Sequence, residues 1–403
     1  MSANQELHAF LMRLGRGLHE QGTPSHRLEE ALNALCRRLD ATGHFFSTPT
    51  ALFASFEQRG QTNDVHLLRV GYGGIDLGKL SDFDAVATAV SHGEMTPRQA
   101  SLELERIETR PPSFGPLQLV PCFALNSAAG SLIFGGGLPE LLTAGVIGVV
   151  TGLLSWATSR SGKPWRAFEP VVAFFAAVIS MLVGALVHPV AVHVAVLAGL
   201  IALLPGYTLT VAIAELANRH LASGSARATS AFMTFLTLAF GVALGTKVVQ
   251  LTVGIPPTVE LTPVPTWLQA VAVTVAASTF AMLFGVKRRD FAWVFLATVL
   301  GFVGARLGNM LLGPELGVFL GAFAAAAGSN LFARVLNRPA VVPLFPAIML
   351  LVPGSVGFRG ISSLMANDVV SGVQTAFTMV LMAVALVTGL LLANDIIPPK
   401  RAL

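Results

Sequence analysis

Hydrophobic positions change their spacing once along this chain. Up to about residue 116 they recur at helical or alternating intervals among charged residues. From Leu117 onward they run together in long apolar blocks. In the first stretch Leu7, Phe10, Leu11, Leu14 and Leu18 share one face of an amphipathic helix predicted over 6–21 and stopped by Gly22. Thr23-Pro24-Ser25 opens a second helix over 25–39, with Leu28, Ala31, Leu32 and Leu35 inward. Runs at 45–56 and 65–70 read as two strands, joined as a hairpin by the polar turn 57–64. Helices over 80–91 and 97–108 follow, the second N-capped by Thr96 ahead of Pro97. Arg110-Pro111-Pro112 closes the segment. The predicted order is ααββαα, an α+β domain over 1–116.

A membrane-crossing helix needs about 20 apolar residues. The later blocks meet that length near 117–135, 140–158, 168–186, 189–205, 227–247, 266–286, 291–308, 315–333, 339–353 and 373–394. The ninth is short. The stretch 170–214 holds no Asp, Glu, Lys or Arg and is long enough for two crossings, with His188-Pro189 as the break. The expected fold is therefore a polytopic α-helical membrane protein of about ten spans behind an α+β domain.

Composition agrees. Of 403 residues, 53% are hydrophobic and 12% charged, about half the charge of an ordinary soluble domain. Residues 1–116 carry 11 Lys/Arg against 14 Asp/Glu, and the remainder 15 against 8. The basic excess thus belongs to the membrane part. It is no nucleic-acid footprint, because no aromatic-studded basic face accompanies it. With the N-terminus inside, Arg160, Lys163, Arg166, Arg219, Arg227, Lys287, Arg288, Arg289, Arg334, Arg338, Lys400 and Arg401 fall on the cytoplasmic side. Lys247, Arg306 and Arg359 fall opposite. The positive-inside rule then places both termini in the cytoplasm of a multi-pass inner-membrane protein. Residues 1–20 hold no signal-peptide h-region. Cys36 and Cys122 read as buried free thiols, and His19, His26, His44, His66 and His92 share no ligand spacing, so no metal or cofactor is expected.

The membrane part repeats itself. Pro205-Gly206 recurs as Pro353-Gly354, Ser223-Gly224 as Ser371-Gly372, Phe175-Ala176-Ala177 as Phe323-Ala324-Ala325 and Gly241 as Gly389, all at an offset of 148. Two five-span repeats, 117–250 and 251–403, follow. An odd span number inverts the second half, the plan of many secondary transporters. Proline removes a helix N–H and glycine permits a turn, so each Pro-Gly break must face protein or a polar cavity. The N–H groups that begin the next half-helix can hold a carboxylate. Pro205, Gly206, Tyr207, Thr208, Thr210, Pro353, Gly354 and Ser355 are thus candidate substrate residues. Ionisable and amide groups inside a membrane are costly and mark polar paths. That adds Asn126 and Asn330 for substrate, Glu215 and Asp368 for proton coupling, and Asn218 and Arg219 in support. Interface anchoring for Arg219 and a helix–helix hydrogen bond for Asn126 are the plainer alternatives.

One stretch of the first domain reads Leu14-Gly15-Arg16-Gly17-Leu18-His19-Glu20-Gln21-Gly22-Thr23-Pro24-Ser25-His26-Arg27-Leu28-Glu29. With Thr48-Pro49-Thr50, the stretch from Arg69-Val70 to Leu80, and Leu204-Pro205-Gly206 followed by Ser223-Gly224, it resembles the threonine/serine exporter (ThrE) family over essentially the whole chain. The resemblance implies export of threonine and serine driven by the proton motive force, from an architecture that some bacteria split into two polypeptides. Split relatives imply the alternative of small dicarboxylates such as succinate. The expected partners are a small amino acid or carboxylate, protons and the lipid bilayer, with no nucleic acid and room for a homo-oligomer. A membrane-anchored hydrolase would need a catalytic set that residues 1–116 do not display, and a passive channel would need no inverted repeat. Without a Gly-x-x-x-x-Gly-Lys-Ser/Thr loop, ATP is not the direct energy source.

Overall fold

The computed structural model describes residues 3–57, 64–71, 74–161, 165–257, 259, 261 and 264–399. Lys163, Lys400 and Arg401, counted above for orientation, lie outside the described residues, as do 58–63 of the expected turn and Tyr72-Gly73.

The first segment, here the head, runs α1 (Ala3–Glu20), α2 (Ser25–Arg38), β1 (Gly43–Thr48), β2 (Ala51–Phe56), β3 (Asp64–Arg69), α3 (Leu77–Ser91) and α4 (Pro97–Thr109). The run expected as one strand over 45–56 is two. Pro49 has no N–H for a ladder, and Thr48 Oγ1 donates to the Ala51 carbonyl at 3.2 Å across the turn. The order is therefore ααβββαα, with an antiparallel sheet β1-β2-β3. Alternation puts Phe45, Leu52, Ala54 and Phe56 in a core with Phe10, Leu14, Leu28, Leu32 and Phe83. The row Phe46–Phe53–Leu67 points outward. Thr96 and Gln99 form a reciprocal capping box at the start of α4.

The membrane segment comprises α5 (Pro116–Ile133), α6 (Leu138–Ser161), α7 (Phe168–Leu186), α8 (Val192–Gly199), α9 (Gly206–Ala217) and α10 (Leu221–Thr252). It continues with α11 (Thr266–Leu283), α12 (Phe291–Leu312), α13 (Pro314–Leu336), α14 (Val341–Leu351), α15 (Gly354–Met365) and α16 (Val369–Ile396). Among the described residues nine apolar segments are long enough to cross a membrane, counting α14 with α15 as one. The expected fourth and ninth spans, 189–205 and 339–353, need correcting. Each is a short helix, α8 or α14, that ends before the Pro-Gly pair, α8 at Gly199 and α14 at Leu351, and is followed by a 12-residue helix, α9 or α15, that starts at the glycine. The break lies inside a two-piece element because the proline takes the N-cap position of the second piece.

From each Pro-Gly pair to the start of the next long helix, the backbone carries the 148-residue offset residue by residue. Gly206–Ala217 maps onto Gly354–Met365, and the start of α10 at Leu221 onto the start of α16 at Val369. Pro205 (φ −78°, ψ 37°) and Pro353 (φ −75°, ψ 21°) share a conformation. In the turns that follow, Arg219 (φ 64°) and Asn367 (φ 65°), again 148 apart, are both left-handed. Packing follows suit: α7 lies on α10 as α13 lies on α16, and α10 meets α15 as α16 meets α9.

The head docks on one end of the membrane segment. Leu77 N–H donates to the Phe284 carbonyl at 2.8 Å beyond the end of α11. Lys287 pairs with Asp82, and Val341 of α14 packs against the head core. Lys287 and its neighbours Arg288 and Arg289 belong to the basic connections assigned above to the cytoplasmic side.

Candidate transport site

The two Pro-Gly elements meet. A Cβ built on Gly206 would lie 3.1 Å from Gly354 Cα, and one built on Gly354 would lie 3.1 Å from Gly206 Cα and 3.3 Å from its nitrogen. Only glycine lets two backbones approach so closely. The first intrahelical bonds are Leu209 N–H to Pro205 O (3.0 Å) and Gly357 N–H to Pro353 O (2.9 Å). The N–H groups of 206–208 and 354–356 therefore precede the helical ladder of each piece, where orphan donors collect.

Two cavities lie near this crossing and share Tyr207. The larger, about 290 Å³, runs from Tyr207, Thr210 and Phe345 to the head, whose Gln21, Gly22, Thr23, Pro24, His26 and Arg27 form its far wall. That is near the lower end of small-molecule sites. Its wall carries a cation, Arg27, and the anions Glu30 and Asp395, with Asn218 and Asn394 beside them. Thr23 Oγ1 and His26 Nδ1 are buried without a hydrogen-bond partner, so two polar atoms of the head face the cavity region with bonds unmade. The smaller cavity, about 40 Å³, is lined by Gly206, Gly354, Ser355, Phe134 and Tyr207. Tyr207 borders both, its ring 4.2 Å from that of Phe345.

Beside the larger cavity the head is fastened to α9 and α10 by a buried polar network. Glu215 accepts from Ser25 N–H at 2.8 Å, Ser223 Oγ at 2.7 Å and Arg227 Nε at 3.1 Å. Ser25 and Ser223 hydroxyls also meet at 2.7 Å. Ser25 is the first residue of α2, so the carboxylate sits on a helix N-terminus, where the dipole favours an anion. The next shell is titratable. His220 lies 3.7 Å from Glu29, and its ring centroid lies 6.0 Å from that of His26. Burial pushes His26 down to about 3, helped by the charges of Arg27, His220 and Arg227. Burial pushes Glu29 up, against a lowering bond from Ser47 N–H.

Of the sequence candidates, Pro205, Gly206, Pro353, Gly354 and Ser355 are at the crossing, with Tyr207 and Thr210 just beyond it on the head side. Thr210 Oγ1 donates back to the Gly206 carbonyl at 3.1 Å. Thr208 is half-buried and borders neither cavity. Asn218 is at the mouth of the larger cavity, and Arg219 is exposed beside it. The structure does not bring Asn126 or Asn330 to either cavity. Asn126 accepts from Thr279 Oγ1 at 3.2 Å, between α5 and α11. Asn330 donates to Asn394 Oδ1 (2.9 Å) and the Ile397 carbonyl (2.8 Å), fixing α13 to the end of α16. Glu215 and Asp368 are also apart. Asp368 is the exposed N-cap of α16, accepting from Ser371 N–H at 3.2 Å.

Sequence reading missed the head's share of the site. Thr23, Ser25 and His26 sit in the quoted family stretch, but only the docking shows that they face the membrane helices. It also missed a convergence of His8 with Asp64 and His66, which lie 56 and 58 residues further along the chain.

A family model described as "Putative threonine/serine exporter" matches residues 9–249. A second, "Threonine/Serine exporter, ThrE", matches 269–396. Among curated proteins the chain is similar to the "Pheromone-regulated membrane protein 10" of several yeasts. It is 25% identical to that of Pichia sorbitophila over 378 residues, covering 91% of this chain and 37% of the relative. It is 27% identical to that of Debaryomyces hansenii over 400 residues (91% and 37%) and to that of Saccharomyces cerevisiae over 387 residues (93% and 48%). The chain thus spans less than half the length of these curated relatives. No solved structure matches it significantly.

Proposed function

Since this chain belongs to the threonine/serine exporter family, whose members are transporters and not enzymes, we propose that it is a secondary active exporter of small polar metabolites, threonine and serine first, driven by the proton motive force. The observation that carries the mechanism is the close backbone approach of Gly206 and Gly354, beside the smaller of two cavities that share Tyr207. In this reading α8–α9 and α14–α15 each make one two-piece crossing, so the membrane segment has ten. Domains run over 1–116, 117–250 and 251–403. The second and third are inverted five-helix repeats about the crossing, with both termini cytoplasmic.

Alternating access then has a physical form. The larger cavity is the cytoplasmic vestibule, roofed by the head. The small cavity is the collapsed outer one, and Tyr207 is the barrier between them. Rocking one repeat against the other opens the second as it closes the first. Substrate carboxylate meets the N–H groups that begin α9 and α15. The hydroxyls of Tyr207, Thr210 and Ser355, with Thr23 and His26 from the head, suit a hydroxy amino acid. Arg27 with Glu30 and Asp395 gives the vestibule both signs of charge, which favours a zwitterion over a dicarboxylate. Proton uptake at Glu215 would weaken its bonds to Arg227 and Ser25, loosening the head as the vestibule closes.

A hydrolytic head is not favoured. His19 Nδ1 approaches Ser47 Oγ at 3.3 Å, but both residues are buried, and the other His19 nitrogen faces the Pro49 carbonyl at 3.1 Å rather than a carboxylate. The mechanism is tested by labelling a cysteine at Tyr207 in membranes of known orientation. Threonine or serine should shift its reactivity from the cytoplasmic to the outer face. Reactivity indifferent to every amino acid and dicarboxylate tried would count against alternating access. Cysteines placed at 57–64 should label from the cytoplasmic side alone.

A further inference from the structure

Away from the transport path, one cluster in the head has the composition of a metal-ion site. His8 comes from α1. Asp64 and His66 come from β3, two residues apart and so on one face of the strand. Asp64 Oδ2 lies 3.2 Å from His8 Nδ1 and 2.9 Å from His66 Nε2, and the three ligating atoms all lie within 4.8 Å of one another. Phe56 holds both rings in place: His8 stacks on it at 4.0 Å, and His66 meets it edge-on at 5.7 Å. The His8 side chain is 8% exposed, that of Asp64 40% and that of His66 39%. One side of the cluster is therefore held by packing and the other is open to water.

We propose that His8, Asp64 and His66 bind a divalent transition-metal ion, best Zn²⁺, with solvent completing the coordination. Two imidazoles and one carboxylate form a borderline-soft donor set that suits Zn²⁺, whereas Ca²⁺ and Mg²⁺ prefer oxygen donors throughout. In a tetrahedral zinc site with ligand bonds of about 2.0–2.2 Å, neighbouring ligand atoms sit about 3.3–3.5 Å apart. The two distances from Asp64 would need to open by only a few tenths of an ångström, and the two imidazole nitrogens, within 4.8 Å of each other, would close on the ion. Binding selects the neutral tautomers with His8 Nδ1 and His66 Nε2 unprotonated, and Asp64 ionised. The ion would tie α1 to β3 directly. The proposal does not depend on the transport reading.

The test uses the full chain, purified in detergent, tag removed and stripped by a chelator. Visible absorption on Co²⁺ titration reports four-coordinate binding, and Zn²⁺ competes the signal away. One ion per chain is expected, with a higher melting temperature once Zn²⁺ is added. His66→Ala and Asp64→Asn, both at half-exposed positions, should each weaken binding at least about tenfold. His92→Ala, at the C-cap of α3, should not. Melting curves of the stripped variants separate a folding failure from loss of a ligand. Absence of stoichiometric uptake by the wild type, or uptake unchanged in both His66→Ala and Asp64→Asn, would overturn the site and leave a hydrogen-bonded triad.

Discussion

Replacing Glu215 by glutamine changes one charge at the joint between head and membrane helices. The carboxylate is fully buried and the Arg227 side chain is 6% exposed, so solvent screens the pair little. Glutamine keeps the shape. Its oxygen can still take the Ser25 N–H and Arg227 Nε, and its NH₂ can face the Ser223 hydroxyl, which rotates to accept. The loss is thus mainly electrostatic. The two bonds from Ser25 and Ser223 to a charged acceptor, each worth about 1.5–3 kcal/mol, become ordinary ones of about 1 kcal/mol, while the Arg227 bond stays charge-assisted but loses its ion-pair attraction. The two bonds give about 1–4 kcal/mol, and the lost ion pair brings the total towards the about 3–5 kcal/mol seen when one member of a buried ion pair is removed. Ser223→Ala removes a neutral donor and should cost about 1 kcal/mol. Chemical denaturation of the full chain in mild detergent measures the difference, and protease cleavage near Arg110 reports release of the head. Glu215→Gln within about 0.5 kcal/mol of wild type, an effect typical of a neutral surface change, with unchanged cleavage would refute the latch. Transport by Glu215→Gln should also lose pH dependence. If Glu215→Gln and Asp368→Asn both left it intact, neither carboxylate would be the proton carrier.

Leucine at Gly206 or Gly354 should abolish transport, because even a Cβ meets the opposing glycine at 3.1 Å and overpacking costs about 1–3 kcal/mol or more. Gly145→Ala in α6, whose nearest neighbour would lie at 3.8 Å, should pass unnoticed in the same expression-normalised assay. His26, held neutral down to about pH 3 against an ordinary 6.5, leaves the unfolded chain binding the extra proton between those values. Stability is full above pH 6.5 and falls as pH drops towards 3, by at most about 1.4 kcal/mol per unit. His26→Gln should flatten that fall in melting temperatures taken at about pH 7 and 5, where the opposite slope from Glu29 is common to both proteins; equal slopes would contradict the assignment.

The apolar blocks were legible because a membrane helix advertises itself by composition, and α5, α6, α7, α11 and α13 fall where hydropathy put them. The two-piece elements were half legible. Pro-Gly marked the break, but α9 continues through Glu215 and α15 through Arg359, polar positions at which a hydropathy reading stops. Pro49 was read through as strand because the apolar pattern resumes at once on its far side. The common offset marks Gly206 and Gly354 as matching positions of the two halves, and the structure brings them together. The fastening of Glu215 to Ser25 was not legible, since nothing local shows that an α2 N-terminus in the head will reach a carboxylate 190 residues later. Asn126 and Asn330 mislead for a related reason: an amide in an apolar helix marks a polar partner, and here the partners are other helices.

The central claim is carrier-type export, and counterflow in proteoliposomes tests it most directly. Vesicles loaded with unlabelled threonine or serine should transiently concentrate the labelled amino acid from outside. A pH gradient should drive net flux, succinate should compete weakly, and Gly206→Leu should abolish every signal. Labelled solute that merely equilibrates, without overshoot and without response to the pH gradient, would contradict the account.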